Sequence, residues 1–360
     1  MKKVLLFLVL CLIFIPKVSC STSNANSYVL MDAETGRVLD SKNMNNRALI
    51  ASITKIMTAV IAIESNKLDE LIKVDDSILK AYGSGIYIQV GEEMLLKDML
   101  YGLMMRSGND AAVMIATYVA GSEEAFVKLM NDKAKKIGMK NTTFVNSSGL
   151  DNTDSGNYST AYDMALLTRY AMQYDKYREI VKTKEYTVKT NYKTYVWHNK
   201  NKLLNYDYVT GGKTGYTEKA GRTLVSTASK DNMNLIVVTI RDSDDWNTHI
   251  ELYNYAFSNY TSYKVLNKNN FNVIGDTYYN NNLYIKEDLY ILLKNNEKGS
   301  LISKIKLEKL KNYKQNDKVG YIEIYIDDEL LATKDIYVNK NDENKTQSFW
   351  TKLWEWIKFW

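Results

Sequence analysis

The sequence predicts an α+β fold. An antiparallel sheet flanked by helices, with an all-helical insert between its strands, precedes a small all-β domain and a C-terminal amphipathic helix. Strand-like runs stand near residue 30 and again past residue 213, with helical periodicity between them. From about residue 268 the pattern changes to short alternating segments separated by Asn, Asp and Gly. The closing stretch, FWTKLWEWIKFW, holds four of the six tryptophans in the chain.

Residues 1–20 combine a basic start, an apolar run of 12 residues over 4–15, then Pro16-Lys17 and the small residues Ser19, Ser21 and Ser23. That run is short for a membrane span and fits a secretory signal, so export is expected, with an uncleaved anchor as the alternative. Lys17 is a poor fit to a lipobox at Cys20. Both cysteines, Cys11 and Cys20, fall in or beside this segment, which leaves the mature chain without a disulfide framework. His198 and His249 are the only histidines, so neither a metal site nor a cofactor is expected. Net charge is +5, and Lys2, Lys3 and Lys17 supply three of it. The remainder gives no electrostatic case for nucleic acid as a partner. With 45% hydrophobic content, 360 residues suffice for one large or two medium domains.

The runs 28–32 and 37–40 flank Glu34-Thr35-Gly36 and read as a hairpin. Helices are expected over 52–64, where Ile56, Val60 and Ile63 recur at helical spacing, and over 97–105, 110–120, 122–137 and 161–174. Ser122 before Glu123 and Glu124 reads as an N-cap with an acidic first turn. The runs 222–229 and 234–240 form a second hairpin through Lys230-Asp231-Asn232-Met233, and 245–260 returns to a helical pattern with Trp246, Ile250, Tyr253 and Phe257 on one face.

The first domain is thus set at 24–262. A separate β-domain follows over 268–338, with strand-like segments at 283–286, 289–293, 302–307 and 320–326. Residues 339–348 are polar and linker-like. On a helical wheel Phe349, Trp350, Leu353, Trp354, Trp356, Ile357 and Trp360 share one arc; Thr351, Lys352, Glu355 and Lys358 share the other, and Phe359 is the exception. Such a helix reaches about 18 Å, too short for a hydrocarbon core of roughly 30 Å. An in-plane interfacial helix accounts for it, with docking on a partner protein as the alternative.

Three short motifs carry chemistry. In Ser52-Ile53-Thr54-Lys55 the amine stands three residues after the hydroxyl, on the same helical face. A serine is a poor nucleophile until a base takes its proton, and a neutral lysine does so if burial or a second cation depresses its pKa; Lys213 is a candidate for that cation. Ser107-Gly108-Asn109 offers a hydroxyl for proton relay and an amide for a substrate peptide group. Lys213-Thr214-Gly215 supplies positive charge, a hydroxyl donor for a carboxylate, and a position open to close approach. Each motif alone also reads as an ordinary cap, loop or turn. Their order and separation describe a serine acyl-transfer site with no histidine and no carboxylate base.

On these motifs, the Tyr158-Ser159-Thr160-Ala161-Tyr162-Asp163 segment, the signal, the β-domain and the tail, the chain resembles the low-molecular-mass penicillin-binding proteins that act as D-alanyl-D-alanine carboxypeptidases. The resemblance implies a β-lactamase/transpeptidase-like domain. It implies peptidoglycan stem pentapeptides as substrate, acylation by β-lactam antibiotics, and a place on the outer face of the cytoplasmic membrane held by residues 349–360. Carried over, Ser52 is the nucleophile, Lys55 the general base, Ser107 a proton-transfer group, and Asn109 orients the acyl donor. Lys213 and Thr214 bind the terminal carboxylate, Gly215 allows close approach, and the backbone N–H groups of Ser52 and Tyr216 form the oxyanion hole. Tyr216 stands where some relatives have histidine. Arg241 is the candidate for an additional carboxylate-binding arginine.

A class A β-lactamase shares part of this logic but needs a deacylating glutamate. Glu179 and Glu185 lie in the right interval, outside any Glu-x-x-Leu-Asn context. A non-catalytic wall-binding or β-lactam-sensing protein is the other alternative, against which the intact motif set argues.

Overall fold

The computed structural model describes residues 24–152, 155–280 and 282–339. The expected signal segment, the linker past residue 339 and the tryptophan-rich tail lie outside the described residues.

Asp32 organises the first turn of the chain. Its carboxylate accepts the Glu34 N–H at 3.1 Å and the Thr35 hydroxyl at 2.6 Å, and Gly36 takes φ +83°. This turn joins strands Ser27–Asp32 and Val38–Lys42. The first strand is buried along its whole length and pairs antiparallel with Met233–Ile240, Ser27 opposite Ile240. Met233–Ile240 pairs with Gly221–Lys230, which pairs with the edge strand Val209–Thr217. The expected hairpin at 230–233 is present: Asp231 and Asn232 take φ +51° and +61°, the handedness that matches strand twist.

The helices are α1 (Lys55–Glu64), α2 (Leu96–Tyr101), α3 (Asn109–Ala120), α4 (Glu123–Ile137), α5 (Ala161–Ala171), α6 (Asp175–Lys182) and α7 (Asp245–Asn259). Ile56, Val60 and Ile63 do not mark one dry face of α1, because every residue from Lys55 to Ile63 is buried. An all-round apolar helix belongs in an interior, and α1 packs against α3, α4, α5 and α6. Val29, Met31, Val225, Ile236 and Val238 face that helical core. The alternate residues Leu30, Leu224, Leu235 and Val237 face Leu252, Tyr253 and Ala256 of α7, as the two-residue period of a strand requires.

Two expected helices end early. The run 161–174 stops at Ala171, where Gln173 and Tyr174 donate to carbonyls three residues back and the chain tightens before α6. The run 97–105 is α helical only to Tyr101 and continues as a π turn over Gly102–Arg106. A hairpin over Glu185–Lys189 and Thr194–His198, not anticipated from the sequence, braces that turn. Tyr186 stacks on Tyr101 with centroids 3.7 Å apart, and the Tyr195 hydroxyl donates to Glu92 at 3.0 Å.

The β-domain has its own core of Leu283, Leu289, Ile291, Val319, Ile322, Ile324 and Ile336. Thr261–Leu266 pairs with Leu289–Leu293, and a four-stranded antiparallel sheet runs in the order Leu283–Tyr284, Glu329–Val338, Lys318–Ile326, Leu301–Leu307. Its last strand was not separately expected. Arg37 ties the two parts together, donating to Glu297 at 2.6 and 3.1 Å and to the Leu292 carbonyl at 2.9 Å.

Candidate active site

Ser52 is delivered by a turn that the rest of the domain holds rigidly. The short strand Ala48–Leu49 pairs with Tyr158–Ser159, Ala51 then takes φ +49°, and Ala51–Thr54 forms a 3-10 turn leading into α1. Gly149 lies against this turn: a Cβ there would stand 2.0 Å from the Ala51 carbonyl oxygen, and its φ of +85° already favours glycine. The segment from Tyr158 to Asp163 is a brace. Thr160 caps α5 by accepting the Asp163 N–H at 3.0 Å, and Asp163 accepts from the Asn141 N–H and the Thr142 hydroxyl, each at 2.8 Å.

Lys55 lies beneath Ser52, fully buried, with its Nζ 3.1 Å from Ser52 Oγ. Its other two partners are Asn109 Oδ1 at 2.7 Å and the Ser148 carbonyl at 2.5 Å. The Asn109 amide has one orientation here, since its Nδ2 donates to the Tyr82 carbonyl at 2.6 Å. Both of those oxygens can only accept. A neutral Lys55 amine therefore spends its two hydrogens on them and turns its lone pair to the Ser52 hydroxyl. Burial, followed by the positive charges of Lys213 and Lys200, holds Lys55 well below the ordinary lysine range, with Asp110 opposing.

Ser107 follows the π turn with φ +65°, which directs its hydroxyl to Lys213 Nζ, 3.0 Å away. Lys213 also donates to the Thr214 carbonyl at 2.6 Å and is 1% exposed. Burial, then Lys200, lowers it to about 7. Lys213, expected to bind a terminal carboxylate, does not itself line the cleft; its amine is buried and bonded to Ser107.

The cleft itself, of about 350 Å³, is lined by Ser52, Ser84, Ser107, Lys200, Lys202, Thr214, Gly215, Tyr216, Arg222, Asp245 and Trp246. Gly215 is required by contact, because a Cβ there would meet Thr223 Oγ1 at 2.4 Å and the Ser52 nitrogen at 2.9 Å. Tyr216 is 64% exposed at the rim. The eight expected site residues thus converge. Ser52, Ser107, Thr214, Gly215 and Tyr216 line the cleft; Lys55, Asn109 and Lys213 support it from below.

Sequence reasoning missed Lys200, Arg222 and Asp110. Arg222 sits opposite Tyr216 in the ladder, is ion-paired to Asp245 at 2.6 Å and lies over Trp246, whereas the Arg241 guanidinium donates to the Lys219 carbonyl and lines no part of the cleft. Extending the strand register one step from Tyr216 was the available signal. Asp110 is buried and collects the N–H groups of Ile86, Tyr87 and Ile88, the nearest at 2.6 Å, which fixes the loop carrying Tyr82 and Ser84 against Asn109. The Asn109 N–H donates to the Ser84 carbonyl at 2.7 Å.

Glu179 accepts from the Tyr101 hydroxyl and Lys176, Glu185 lies beside His198, and neither lines the cleft. A larger cavity of about 820 Å³ opens at the other end of the sheet, near Arg169, Arg178 and Lys182, and no motif residue lines it. Among the described residues no cluster of His, Cys, Asp and Glu could hold a metal ion.

An antiparallel sheet flanked by helices, a Ser–Lys pair at the start of the central helix and an appended β-domain define the class: the fold of the penicillin-binding DD-peptidases. Residues 16–244 match the family model described as D-alanyl-D-alanine carboxypeptidase, and residues 260–344 match that of the penicillin-binding protein 5 C-terminal domain. The chain belongs to the D-alanyl-D-alanine carboxypeptidase family. The carboxypeptidase DacF of Bacillus subtilis is 39% identical over 255 residues, covering 68% of this chain and 65% of that protein. DacC of Escherichia coli is 37% identical over 246 residues, covering 63% and 59%. The matched stretches span less than two thirds of these relatives' own length. Penicillin binding protein 5 from Haemophilus influenzae superposes with a TM-score of 0.72 at 26% identity, over 90% of this chain and 99% of that one.

Proposed function

We propose that this protein is a serine-type D-Ala-D-Ala carboxypeptidase that removes the terminal D-alanine from peptidoglycan stem pentapeptides and is acylated by β-lactams. The observation that carries the reading is the buried Lys55 amine 3.1 Å from Ser52 Oγ, held low in pKa by burial and two neighbouring cations. Neutral Lys55 takes the Ser52 proton as Oγ bonds to the carbonyl carbon of the penultimate D-alanine. The carbonyl electron pair moves to oxygen, which the N–H groups of Ser52 and Tyr216 receive. When the C–N bond breaks, the leaving amine takes a proton through Ser107, whose hydroxyl rests on Lys213. Water then hydrolyses the ester on Ser52.

Asn109 serves the acyl-donor peptide from beneath, by holding Lys55 in place through its amide oxygen, and Gly215 lets the peptide approach the strand. Thr214 and Arg222 receive the terminal carboxylate, while Lys213 adds positive field from beneath. The absence of Glu179 and Glu185 from the cleft supports slow rather than rapid hydrolysis of a β-lactam acyl-enzyme. Residues 1–20 direct export. Residues 349–360 hold the protein at the outer face of the cytoplasmic membrane, and no helix of the described residues is long and apolar enough to cross a membrane.

The test is release of D-alanine from a Lys-D-Ala-D-Ala peptide, paired with labelling by fluorescent penicillin. Wild type is expected to do both and Ser52→Ala neither. Labelling of a folded Ser52→Ala protein overturns the site; rapid antibiotic turnover indicates a β-lactamase, and labelling without D-alanine release indicates a sensor. Truncation after Asn344 is expected to leave a soluble, active enzyme that no longer binds vesicles.

A further inference from the structure

The charge of this chain is unevenly placed. Between Leu301 and Lys318 stand Lys304, Lys306, Lys309, Lys311, Lys314 and Lys318 against only Glu308 and Asp317, a balance of +4 in a chain whose total is +5. All six lysines are exposed. Lys318 is paired with Asp335 at 2.6 Å, but no ion pair to Lys309, Lys311 or Lys314 occurs among the described residues.

These lysines gather at one end of the four-stranded sheet. Leu307 lies opposite Gly320, Lys318 opposite Tyr337, and Leu283 opposite Val338, so the loop after residue 307 shares an end with the last strand. The loop is pinned there by the Asn316 N–H donating to the Val338 carbonyl at 2.8 Å and by the Tyr278 hydroxyl donating to the Leu310 carbonyl at 3.0 Å. Beside it Ile274 is 97% exposed, lining a shallow groove with Ile305 and Lys309. Asn339, the last described residue, leaves from this same end.

We infer that this end of the β-domain is a second membrane contact, in which Lys309, Lys311 and Lys314 rest on anionic lipid headgroups beside the exit of the chain. The inference rests on the reading of residues 349–360 as an interfacial helix. Nine residues, 340–348, separate that helix from Asn339, and nine residues reach at most about 30 Å. The anchor therefore keeps this end of the sheet within that reach of the bilayer. Exposed lysines attract anionic headgroups only within about a Debye length, roughly 8 Å at physiological salt, so contact needs no longer reach than the tether allows. An exposed isoleucine and Tyr278 beside the lysines fit the headgroup–acyl boundary.

The experiment is vesicle sedimentation of the full chain on phosphatidylcholine alone and on phosphatidylcholine with one quarter phosphatidylglycerol, at low and high salt. Wild type is expected to bind both and to prefer the anionic vesicles. Replacing Lys309, Lys311 and Lys314 by Ser should weaken binding to the anionic vesicles roughly 10- to 100-fold at low salt, leave binding to neutral ones unchanged, and lose its effect at high salt. A charge-matched control with Lys73, Lys128 and Lys140 replaced by Ser should keep the preference. Equal loss in both variants, or no loss in the first, overturns the inference. So does a loss of binding to soluble polyglutamate without a loss on vesicles, which assigns the patch to a soluble polyanion. Failure of wild type to bind neutral vesicles, with the lipid-charge dependence retained, counts against the tail and not against the loop.

Discussion

Lys55 and Lys213 are 0% and 1% exposed, while Lys309, Lys311 and Lys314 stand in solvent at the far end of the chain. The two groups share one side chain and differ in what surrounds it. Burial among cations lowers the pKa of both amines of the first pair and makes Lys55 one that can take a proton. Exposure leaves the second group to act only through long-range attraction at the surface. Position in the fold, and not residue type, decides which chemistry a lysine has.

Arginine separates the two uses, because a guanidinium does not give up its proton in a protein. Lys55→Arg is expected to lower the rate of acylation by penicillin at least 1,000-fold, in the range of a lost general base, with the circular dichroism spectrum retained. An acylation rate within tenfold of wild type removes Lys55 from the base role.

Lys213→Met tests the cost of burying charge. Activity should fall by more than 100-fold. Without the neighbouring positive charge Lys55 should titrate higher, so the ascending limb of acylation against pH moves to higher pH. Stability moves the other way. Folded Lys213 titrates at about 7 and the unfolded side chain at the ordinary value of 10.5. Between those values the unfolded chain binds the extra proton, so wild-type stability from this group rises with pH. The variant should therefore be more stable than wild type at pH 7, by about 1–3 kcal/mol, with the gain shrinking toward pH 10 in urea denaturation.

Two smaller effects probe how the buried pair is positioned. Asp110→Asn swaps an acceptor oxygen for a donor facing the Ile86–Ile88 amides and loosens the loop that holds Asn109. Acylation should slow roughly 5- to 50-fold, as one or two buried hydrogen bonds are lost. Arg222→Leu should raise KM about tenfold for peptides ending in a free carboxylate and leave carboxamide-ended peptides unaffected. An equal effect on both peptides indicates that Arg222 acts through its Asp245 pair instead. The smallest effect belongs to the exposed group: Lys311→Arg should bind anionic vesicles like wild type.

Much of the peptidase domain was legible because local pattern and global fold agree. The 230–233 turn, the capped start of α4 and the hairpin opened by Ser27–Asp32 all follow from local sequence pattern. The hairpin over 185–198 was not legible, since its turn lacks an Asn-Gly or Asp-Gly signal and its aromatics are explained only by Tyr101 on another element. The motif residues were visible in order, but Lys200 was not. It carries no motif, and it acts through proximity to Lys55 and Lys213.

Residue order alone determined which groups were available for acyl transfer, because a hydroxyl three residues before an amine at a helix start is a local fact. The tertiary structure decided what those groups are. It sealed Lys55 and Lys213 from water, aimed Ser107 at Lys213, set Arg222 in the cleft in place of Arg241, and collected the exposed lysines where the chain leaves the β-domain. Desolvation and charge–charge repulsion depend on neighbours far away in the chain, and only folding supplies them.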